Sequence, residues 1–314
     1  MSGASPTPTT MSNDGSRNSV AQALGRTLRR AHVATWLVAV AIYGGWLSLT
    51  LAHSRLPFPI LTVLGGITLA WHGSLQHETI HGHPAGPRWI GWALGAAPLS
   101  LWLPYAVYRD THRSHHATPH LTDPAHDPES PLPGDAAWAT SRALAASQQT
   151  AIGRLVLGPL LTITSFLRTE LAELVRGTTG RRRTWALHAL MAGVVLMWLI
   201  AVAHLPLWKY LLAFVYPGSS LTLLRSFAEH RAVAAIEKRT CVVEAGLFFG
   251  LLFLNNNLHV VHHETPHAPW FELPALWKRR RAAFATEAPD LVLPGYVALV
   301  RKYALRPLSP GKRR

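Results

Sequence analysis

Four long apolar stretches constrain the fold of this chain more than any other feature. They run from Ala31 to His53, from Leu56 to about Leu75, from Trp185 to about Ala203 and from Leu207 to about Leu224. An α-helix needs about 20 apolar residues to cross the hydrocarbon core of a bilayer, so each stretch can supply one crossing. Only residues 54–55 separate the first two stretches, and only residues 204–206 separate the last two. The sequence therefore predicts an all-α integral membrane protein with four transmembrane helices arranged as two hairpins.

Basic residues predict the orientation of these hairpins. Arginines flank the outer ends of the stretches, at positions 26, 29, 30, 181, 182, 183, 225 and 231. The turns inside the hairpins carry little charge. Because Lys and Arg accumulate on the cytoplasmic side of membrane proteins, we expect both termini in the cytoplasm. The high Ala and Arg content suggests the inner membrane of a bacterium as the location.

The chain divides into three predicted regions. Residues 1–25 are mostly Ser, Thr, Pro, Asn and Gly and are expected to form a disordered polar leader. Residues 26–295 form the membrane domain, and residues 296–314 form a basic cytoplasmic tail. Apolar segments interrupted by Pro and Gly lie at 89–105, 151–166 and 245–254, and their length predicts interfacial or partly embedded helices rather than spans.

Histidine is the second informative feature, because 18 histidines occur in 314 residues and eight of them fall into three short clusters. The clusters have the forms HETIH at 77–81, HRSHH at 112–116 and HVVHH at 259–263. Spacings of three and four residues place side chains on one face of a helix, so the imidazoles of each cluster can converge on a metal ion. The predicted topology puts all three clusters at the cytoplasmic ends of the spans, which predicts a histidine-rich cytoplasmic cap.

His230 lies just beyond the fourth stretch and is added as a further candidate ligand. The candidate metal ligands are then His77, His81, His112, His115, His116, His230, His259, His262 and His263. Nine imidazoles are too many for one ion and suit two. Neutral nitrogen ligands are compatible with zinc, iron, copper or nickel, so the ligand type does not select the metal. Five other histidines lie off this spacing and are read as supporting, substrate-facing or surface groups: His72, His83, His120, His126 and His267.

Acidic and amide side chains surround these clusters in a chain that has few acids. The carboxylates are Glu78, Asp110, Asp123, Asp127, Glu229 and Glu264, and the amides are Asn255, Asn256 and Asn257. A histidine that binds a metal usually donates its second N–H to such a group. Among them, Asp110, Glu229, Asn255 and Asn256 are predicted to support the metal ligands in this way.

Other chemistries fit parts of the same pattern. The first cluster is an HExxH motif, in which Glu78 would serve as the general base of a zinc protease. That hypothesis leaves the two HxxHH clusters without a purpose. Glu78 with His81 and Glu264 with His267 also resemble the Glu-x-x-His pairs of carboxylate-bridged di-iron bundles, but Pro266 breaks the second helical turn. A histidine-rich metal transporter would place its ligands midway through the spans rather than at their ends.

The net charge and the cysteine content limit which binding partners and which internal cofactors we expect. The net charge is +14, and the basic residues concentrate in residues 278–314, where they can contact anionic lipid headgroups. No nucleic-acid-binding motif accompanies this charge, so we expect no nucleic acid partner. A single cysteine, Cys241, excludes a disulfide scaffold and a resident iron–sulfur cluster.

The order HxxxH, HxxHH, HxxHH, with paired apolar stretches between the second and third clusters, resembles the membrane fatty acid desaturase superfamily. That superfamily includes acyl-lipid desaturases, carotenoid hydroxylases and ketolases, and the resemblance covers roughly residues 31–275. The segment 257–274, with its Pro269-Trp270 pair, is similar to the third histidine box of bacterial members. His230 matches the position at which acyl desaturases supply an extra ligand.

This resemblance implies a non-haem di-iron centre that uses O2 and two electrons to remove hydrogen from an unactivated C–H bond of a lipid. It implies an acyl-lipid desaturase, with a lipid or carotenoid hydroxylase or ketolase as the alternative, because the two reactions differ only in their second step. The electrons are expected from a separate, ferredoxin-like protein, and basic cytoplasmic residues can also serve its docking. Replacing His115 or His262 by Ala is expected to abolish activity, and His188→Ala in the third stretch is expected to be tolerated.

Overall fold

The computed structural model describes residues 14–123, 125–130, 142–178, 180–231 and 239–308, and these residues are mostly helical. The helices are α1 (Asp14–Ala52), α2 (Phe58–Ile80), α3 (Arg88–Ala96), α4 (Tyr105–Ala117), α5 (Arg142–Ser147), α6 (Ala151–Val156), α7 (Gly158–Arg176), α8 (Arg181–Met197), α9 (Leu207–Tyr210), α10 (Tyr216–Glu229), α11 (Leu247–Leu252), α12 (His259–Glu264), α13 (Leu273–Glu287) and α14 (Tyr296–Tyr303). Two short strands, β1 (Val242–Val243) and β2 (Val292–Leu293), pair in parallel with Val242 opposite Val292. The pairing ties the segment that follows α10 to the segment that precedes α14.

Three helical segments are long and apolar enough to cross a membrane. They are Val33–Ala52 in α1, Phe58–Ile80 in α2, and Arg181–Val202, which is α8 continued by a π-helical turn. Large apolar side chains on these segments are exposed, for example Val40 at 67% and Leu190 at 68%. A soluble protein would bury such residues, whereas a lipid environment solvates them. The first predicted hairpin and the third predicted span thus correspond to candidate spans.

The fourth apolar stretch is helical but is not among these candidates. It forms α9, a π-helical turn at Leu211–Val215 and α10 in direct succession. Lys209 and the polar run from Pro217 to Ser220 lower its mean hydropathy. The Lys209 ammonium group donates a hydrogen bond to the backbone carbonyl of His53, at 2.9 Å. Four complete crossings therefore remain a prediction.

The polar leader is shorter than its composition indicates. Helix α1 begins at Asp14, within the region predicted to be disordered, and residues 1–13 lie outside the described part of the chain. The prolines of the leader all precede this point, and proline is unfavourable in the interior of a helix. The interrupted apolar segments contain the short helices α3, α6 and α11 as well as α7. The described part of the predicted basic tail contains α14, and the backbone N–H of Ile152 bonds to the carbonyl of Ala304 beside it.

Helix α2 lies at the centre of the fold and packs against α1, α3 and α10. Glycines bring α2 and α10 close together. A methyl group added to Gly218 would lie 2.5 Å from Cβ of Leu69, and one added to Gly65 would lie 2.5 Å from the carbonyl oxygen of Ala213. Because carbon atoms cannot approach so closely, only glycine permits this helix spacing. The close packing sets the end of α2, with His77, beside the end of α10.

We predict that Gly218→Val weakens the packing of α2 on α10 and lowers the stability of the protein by about 1–3 kcal/mol, the usual cost of an overpacked core. Gly193→Val in α8 is the matched control, because nothing lies within 4 Å of the position that its Cβ would occupy. Thermal unfolding of the two variants in detergent measures the difference. Equal unfolding midpoints would contradict the proposed helix contact.

Candidate metal centre

The structure brings all nine candidate histidines together in two groups that can each hold a metal ion. The five-histidine group contains His77, His81, His112, His116 and His262, and the four-histidine group contains His115, His230, His259 and His263. Within each group the available nitrogen atoms all lie within 4.8 Å of one another. Both groups combine residues from distant parts of the chain, so each depends on the packing of the helices.

Helix α4 supplies histidines to both groups. His112 and His116 are separated by one turn and belong to the five-histidine group. His115 points to the neighbouring side of the helix and belongs to the four-histidine group. The HxxHH spacing therefore does not make one metal site per cluster. It places α4 between two sites and lets one helix serve both.

Helix α12 makes the complementary contribution. His259 and His263, again one turn apart, belong to the four-histidine group, and His262 belongs to the five-histidine group. His230, in extended backbone directly after α10, completes the four-histidine group. His77 and His81 come from the last turn and the C-cap of α2 and complete the other group. Each group thus receives a pair from one HxxHH helix and a single histidine from the other.

Ring nitrogens within a group are spaced as ligands of one ion would be. In the five-histidine group, Nε2 of His112 lies 2.9 Å from Nε2 of His81 and 3.1 Å from that of His116. In the other group, Nε2 of His230 lies 3.0 Å from Nε2 of His115 and 3.1 Å from that of His259. Two nitrogens bound to one metal at about 2.1 Å and at right angles would lie about 3.0 Å apart. The donor geometry therefore fits a bound ion in each group.

An unsatisfied atom supports the same conclusion. His77 is 1% exposed, and its Nε2 atom has no hydrogen-bond partner among the described residues. Leaving a buried polar atom unpaired costs about 1–3 kcal/mol. A metal ion in the five-histidine group would supply the missing partner.

Carboxylates determine which ring nitrogen carries the proton in two histidines of α4. Nδ1 of His115 donates to Asp127 at 2.7 Å, and Nδ1 of His112 donates to Glu129 at 2.9 Å. With the proton held on Nδ1, the lone pair of Nε2 faces the group. Asp127 also accepts backbone N–H groups from Thr122 and Glu129, which orders this loop. Asp127 is among the carboxylates predicted from the sequence, whereas Glu129 is not, and its only signal in the sequence is its place two residues beyond Asp127.

A buried polar network supports His259. Its Nδ1 atom lies 3.1 Å from Oδ1 of Asn256, and the amide of Asn256 donates to Glu229 at 2.8 Å. Glu229 in turn pairs with Arg225 at 2.9 Å, although both side chains are less than 10% exposed. A buried carboxylate beside a buried guanidinium satisfies the charge of both groups. Glu229 and Asn256 therefore lie where the sequence predicted supporting residues.

Two other predicted supporting residues do not contact the histidines. Asp110 is exposed on α4 and pairs with Arg109, because a position two residues before His112 lies on nearly the opposite side of the helix. The amide of Asn255 donates instead to the backbone carbonyl of Trp270. The prediction that Asp110 and Asn255 support metal ligands is therefore wrong. The further carboxylates Asp123 and Glu264 bind His126 and Arg280 respectively.

The histidines that lie off the cluster spacing belong to neither group. His72 is buried on α2 and lies 3.3 Å from the Tyr43 hydroxyl, and His83 is buried after the end of α2. His120, His126 and His267 are exposed. Their separation from the two groups agrees with their reading as supporting or surface residues rather than ligands.

Burial keeps the imidazoles of His81, His116 and His230 neutral. Burial, followed by repulsion from His112, lowers the pKa of His81 to about 2 and that of His116 to about 3. Burial also lowers the pKa of His230 to about 3. Burial is the largest influence on His115 and lowers its pKa, but the hydrogen bond to Asp127 and the negative charges of Glu129, Asp127 and Glu229 together outweigh burial and raise the pKa. Histidines that are neutral at physiological pH can bind a metal ion without first releasing a proton.

We predict that Asp127→Asn weakens metal binding about 10- to 100-fold, because His115 loses the charged acceptor that orients its ring. Asp123→Asn is the matched control, since Asp123 contacts the exposed His126 and neither group. Competition with a chelator, followed by elemental analysis, measures the affinity. Equal metal retention by the two variants would show that Asp127 does not support the centre.

His188 requires a separate prediction, because the structure buries it at 3% exposure and places its Nε2 2.9 Å from the carbonyl oxygen of Leu101. His188→Ala removes a buried hydrogen bond, and we expect it to lower stability by about 1–3 kcal/mol while the metal content stays unchanged. Thermal unfolding and elemental analysis test the two parts. His126→Ala is the control, because that side chain is 58% exposed. Loss of metal in His188→Ala would show that His188 contributes to metal binding.

Comparison with known proteins gives one family match. The model of the family described as fatty acid desaturase matches residues 53–291, a segment that contains all nine candidate ligands and most of the described helices. A search of curated individual proteins gives no match.

Proposed function

Since the chain belongs to the fatty acid desaturase family, we propose that it is an O2-dependent desaturase that introduces a double bond into an acyl chain of a membrane lipid. Membership of this family indicates a membrane oxidoreductase of the desaturase or hydroxylase type with a di-metal site. The two histidine groups carry the proposal, because they provide two adjoining sites with nitrogen donors only. They lie beside the ends of helices that are long and apolar enough to span a bilayer.

Iron is the metal that we assign to both groups. Structural and catalytic zinc sites are almost always four-coordinate, whereas one group here offers five imidazoles. Imidazole ligands suit iron, and nitrogen atoms about 3 Å apart suit an ion with more than four ligands. Two irons bound there would supply, with O2 and two electrons, the oxidising chemistry needed to remove hydrogen from an unactivated C–H bond. The proposed ligands are the nine histidines of the two groups.

The other residues of the centre hold these ligands in place. Asp127 and Glu129 accept hydrogen bonds from the Nδ1–H groups of His115 and His112. The unprotonated Nε2 atom of each ring therefore faces its histidine group. Asn256 and Glu229 orient His259 in the same way from the other side. Burial of the ligands restricts the access of water, which protects a reactive site from side reactions.

The membrane arrangement is also part of the proposal. We place four spans in the inner membrane of a bacterium, with both termini and both histidine groups on the cytoplasmic side. The arginines at 181–183, which precede the third span, support this orientation. Electrons would come from a separate, acidic ferredoxin-like protein. The exposed basic residues of α13 can attract such a donor as well as anionic lipid headgroups.

Alternative chemistries receive less support. A hydroxylase or ketolase acting on a lipid or carotenoid would use the same ligands, and only the product separates it from a desaturase. In the zinc protease hypothesis Glu78 would face a metal-bound water, but its Oε2 accepts the backbone N–H of Trp270, and the second histidine group stays unexplained. A carboxylate-bridged centre would need Glu264, which is exposed and pairs with Arg280.

The test combines elemental analysis of the purified protein with mass spectrometry of lipids from expressing cells. We expect two irons per chain and a new lipid that has lost two hydrogens. A lipid that has gained one oxygen would change the assignment to a hydroxylase. One zinc per chain with unchanged lipids would overturn the proposal and favour the protease.

Two variants link the product to the two groups. His262→Ala removes a ligand from the five-histidine group and His115→Ala removes one from the four-histidine group. We expect each variant to lose metal and the lipid product while it still inserts into the membrane, and His126→Ala to keep both. Full product formation by His262→Ala would contradict the ligand assignment.

A further inference from the structure

Two adjoining cavities lie beside the metal centre and have no part in it. The first, of about 130 Å³, lies where α3 and α4 meet the end of α2. The second, of about 140 Å³, lies between α3, α4 and α8. Trp92 and Tyr105 line both cavities, so the two share a wall. None of the nine candidate ligands lines either cavity.

The first cavity is positively charged. Arg88, Arg109 and Arg113 line it, and no acidic residue does. Within the part of the chain that the structure describes, Arg88 and Arg113 form no ion pair, and Arg109 pairs only with its exposed neighbour Asp110. Guanidinium groups recognise phosphate through paired, charge-assisted hydrogen bonds. The chemistry of this cavity therefore suits a phosphate group.

The second cavity continues from this charged region along a candidate membrane span. Arg183, Leu187 and Met191 line it at intervals of one helical turn on α8. At 1.5 Å per residue this stripe extends about 12 Å from the basic start of the helix toward its apolar interior. The cavity is thus charged at one end and apolar along its length, as the space beside a lipid headgroup and the start of its chain would be.

His188 adds an independent observation. It lines the second cavity and is 3% exposed, and its Nδ1 atom has no hydrogen-bond partner among the described residues. Because Nε2 donates to the carbonyl of Leu101, Nδ1 of the neutral ring is an acceptor. A hydroxyl group in the headgroup of a bound lipid would supply the missing donor.

We propose that the two cavities together bind an anionic phospholipid, with its phosphate among the arginines and the start of one acyl chain along α8. Basic pockets at the cytoplasmic ends of transmembrane helices bind anionic headgroups in this manner. Trp89 and Trp92, both exposed on α3, lie at the same level, as interfacial tryptophans do. The site is separate from the histidine groups, so the proposal does not depend on which reaction the centre performs.

The test uses the full-length protein in detergent, stripped of lipid and titrated with phosphatidylglycerol or phosphatidylcholine under native mass spectrometry. We expect phosphatidylglycerol to bind more tightly than phosphatidylcholine. The double variant Arg88→Gln with Arg113→Gln should bind phosphatidylglycerol at least about tenfold more weakly than the unaltered protein does, because two charge-assisted contacts are lost. The matched control is Arg301→Gln with Arg306→Gln, which removes two exposed arginines outside both cavities and should leave the affinity unchanged.

A third variant tests the apolar cavity. Ala106 lines the second cavity, and Ala106→Leu fills part of it, so we expect weaker binding of phosphatidylglycerol with the arginines intact. Equal affinity of the arginine double variant and its control would overturn the proposal. So would competition by inorganic phosphate combined with unchanged lipid binding in Ala106→Leu, which would identify a site for a free anion. Metal content and lipid product, measured in the same samples, report separately on the histidine groups.

Discussion

The structure depends on the convergence of neutral imidazoles in a space from which water is largely excluded. Buried polar atoms must have partners. The single donor of His112 and of His115 is used outside the groups, so that only acceptor nitrogens of these rings face the other histidines. His77, with a buried and unpaired Nε2, shows the consequence most directly. A metal ion in each group resolves the conflict, because it accepts several lone pairs at once. The histidine groups are therefore folding constraints as well as functional ones, and the helices that carry them must meet accurately.

Close packing of α2 against α10 meets this requirement. Glycines at 65 and 218 let α2 approach the π-helical turn at Leu211–Val215 and α10 so closely that a Cβ at either position would collide with its neighbours. The ends of the same helices carry His77 and His230, which belong to different groups. A change of helix spacing would therefore alter the separation of the two sites rather than the geometry of one.

A layer of carboxylate and amide groups completes the centre. Asp127 and Glu129 reach it from the loop after α4, and Asn256 with Glu229 reaches it from the opposite side. These contacts decide which nitrogen of His112, His115 and His259 would face a metal ion. The arginine-lined cavity lies on another side of α4, and Arg113 in that cavity directly follows His112. One short helix thus contributes both to the metal centre and to the proposed contact with lipid.

The sequence by itself determined the helical membrane class, the identity of the nine histidines and their position near the membrane-spanning helices. These features follow from local properties: apolar length, and spacings of three and four residues along a helix. Local patterns did not show that each HxxHH cluster divides between two groups, that Glu129 rather than Asp110 contacts a histidine, or that α1 begins at Asp14. Only the tertiary structure decided how each HxxHH cluster divides between the two groups and which carboxylates contact the histidines. Both depend on distances between segments that are far apart in the chain and on which side of each helix faces its neighbour.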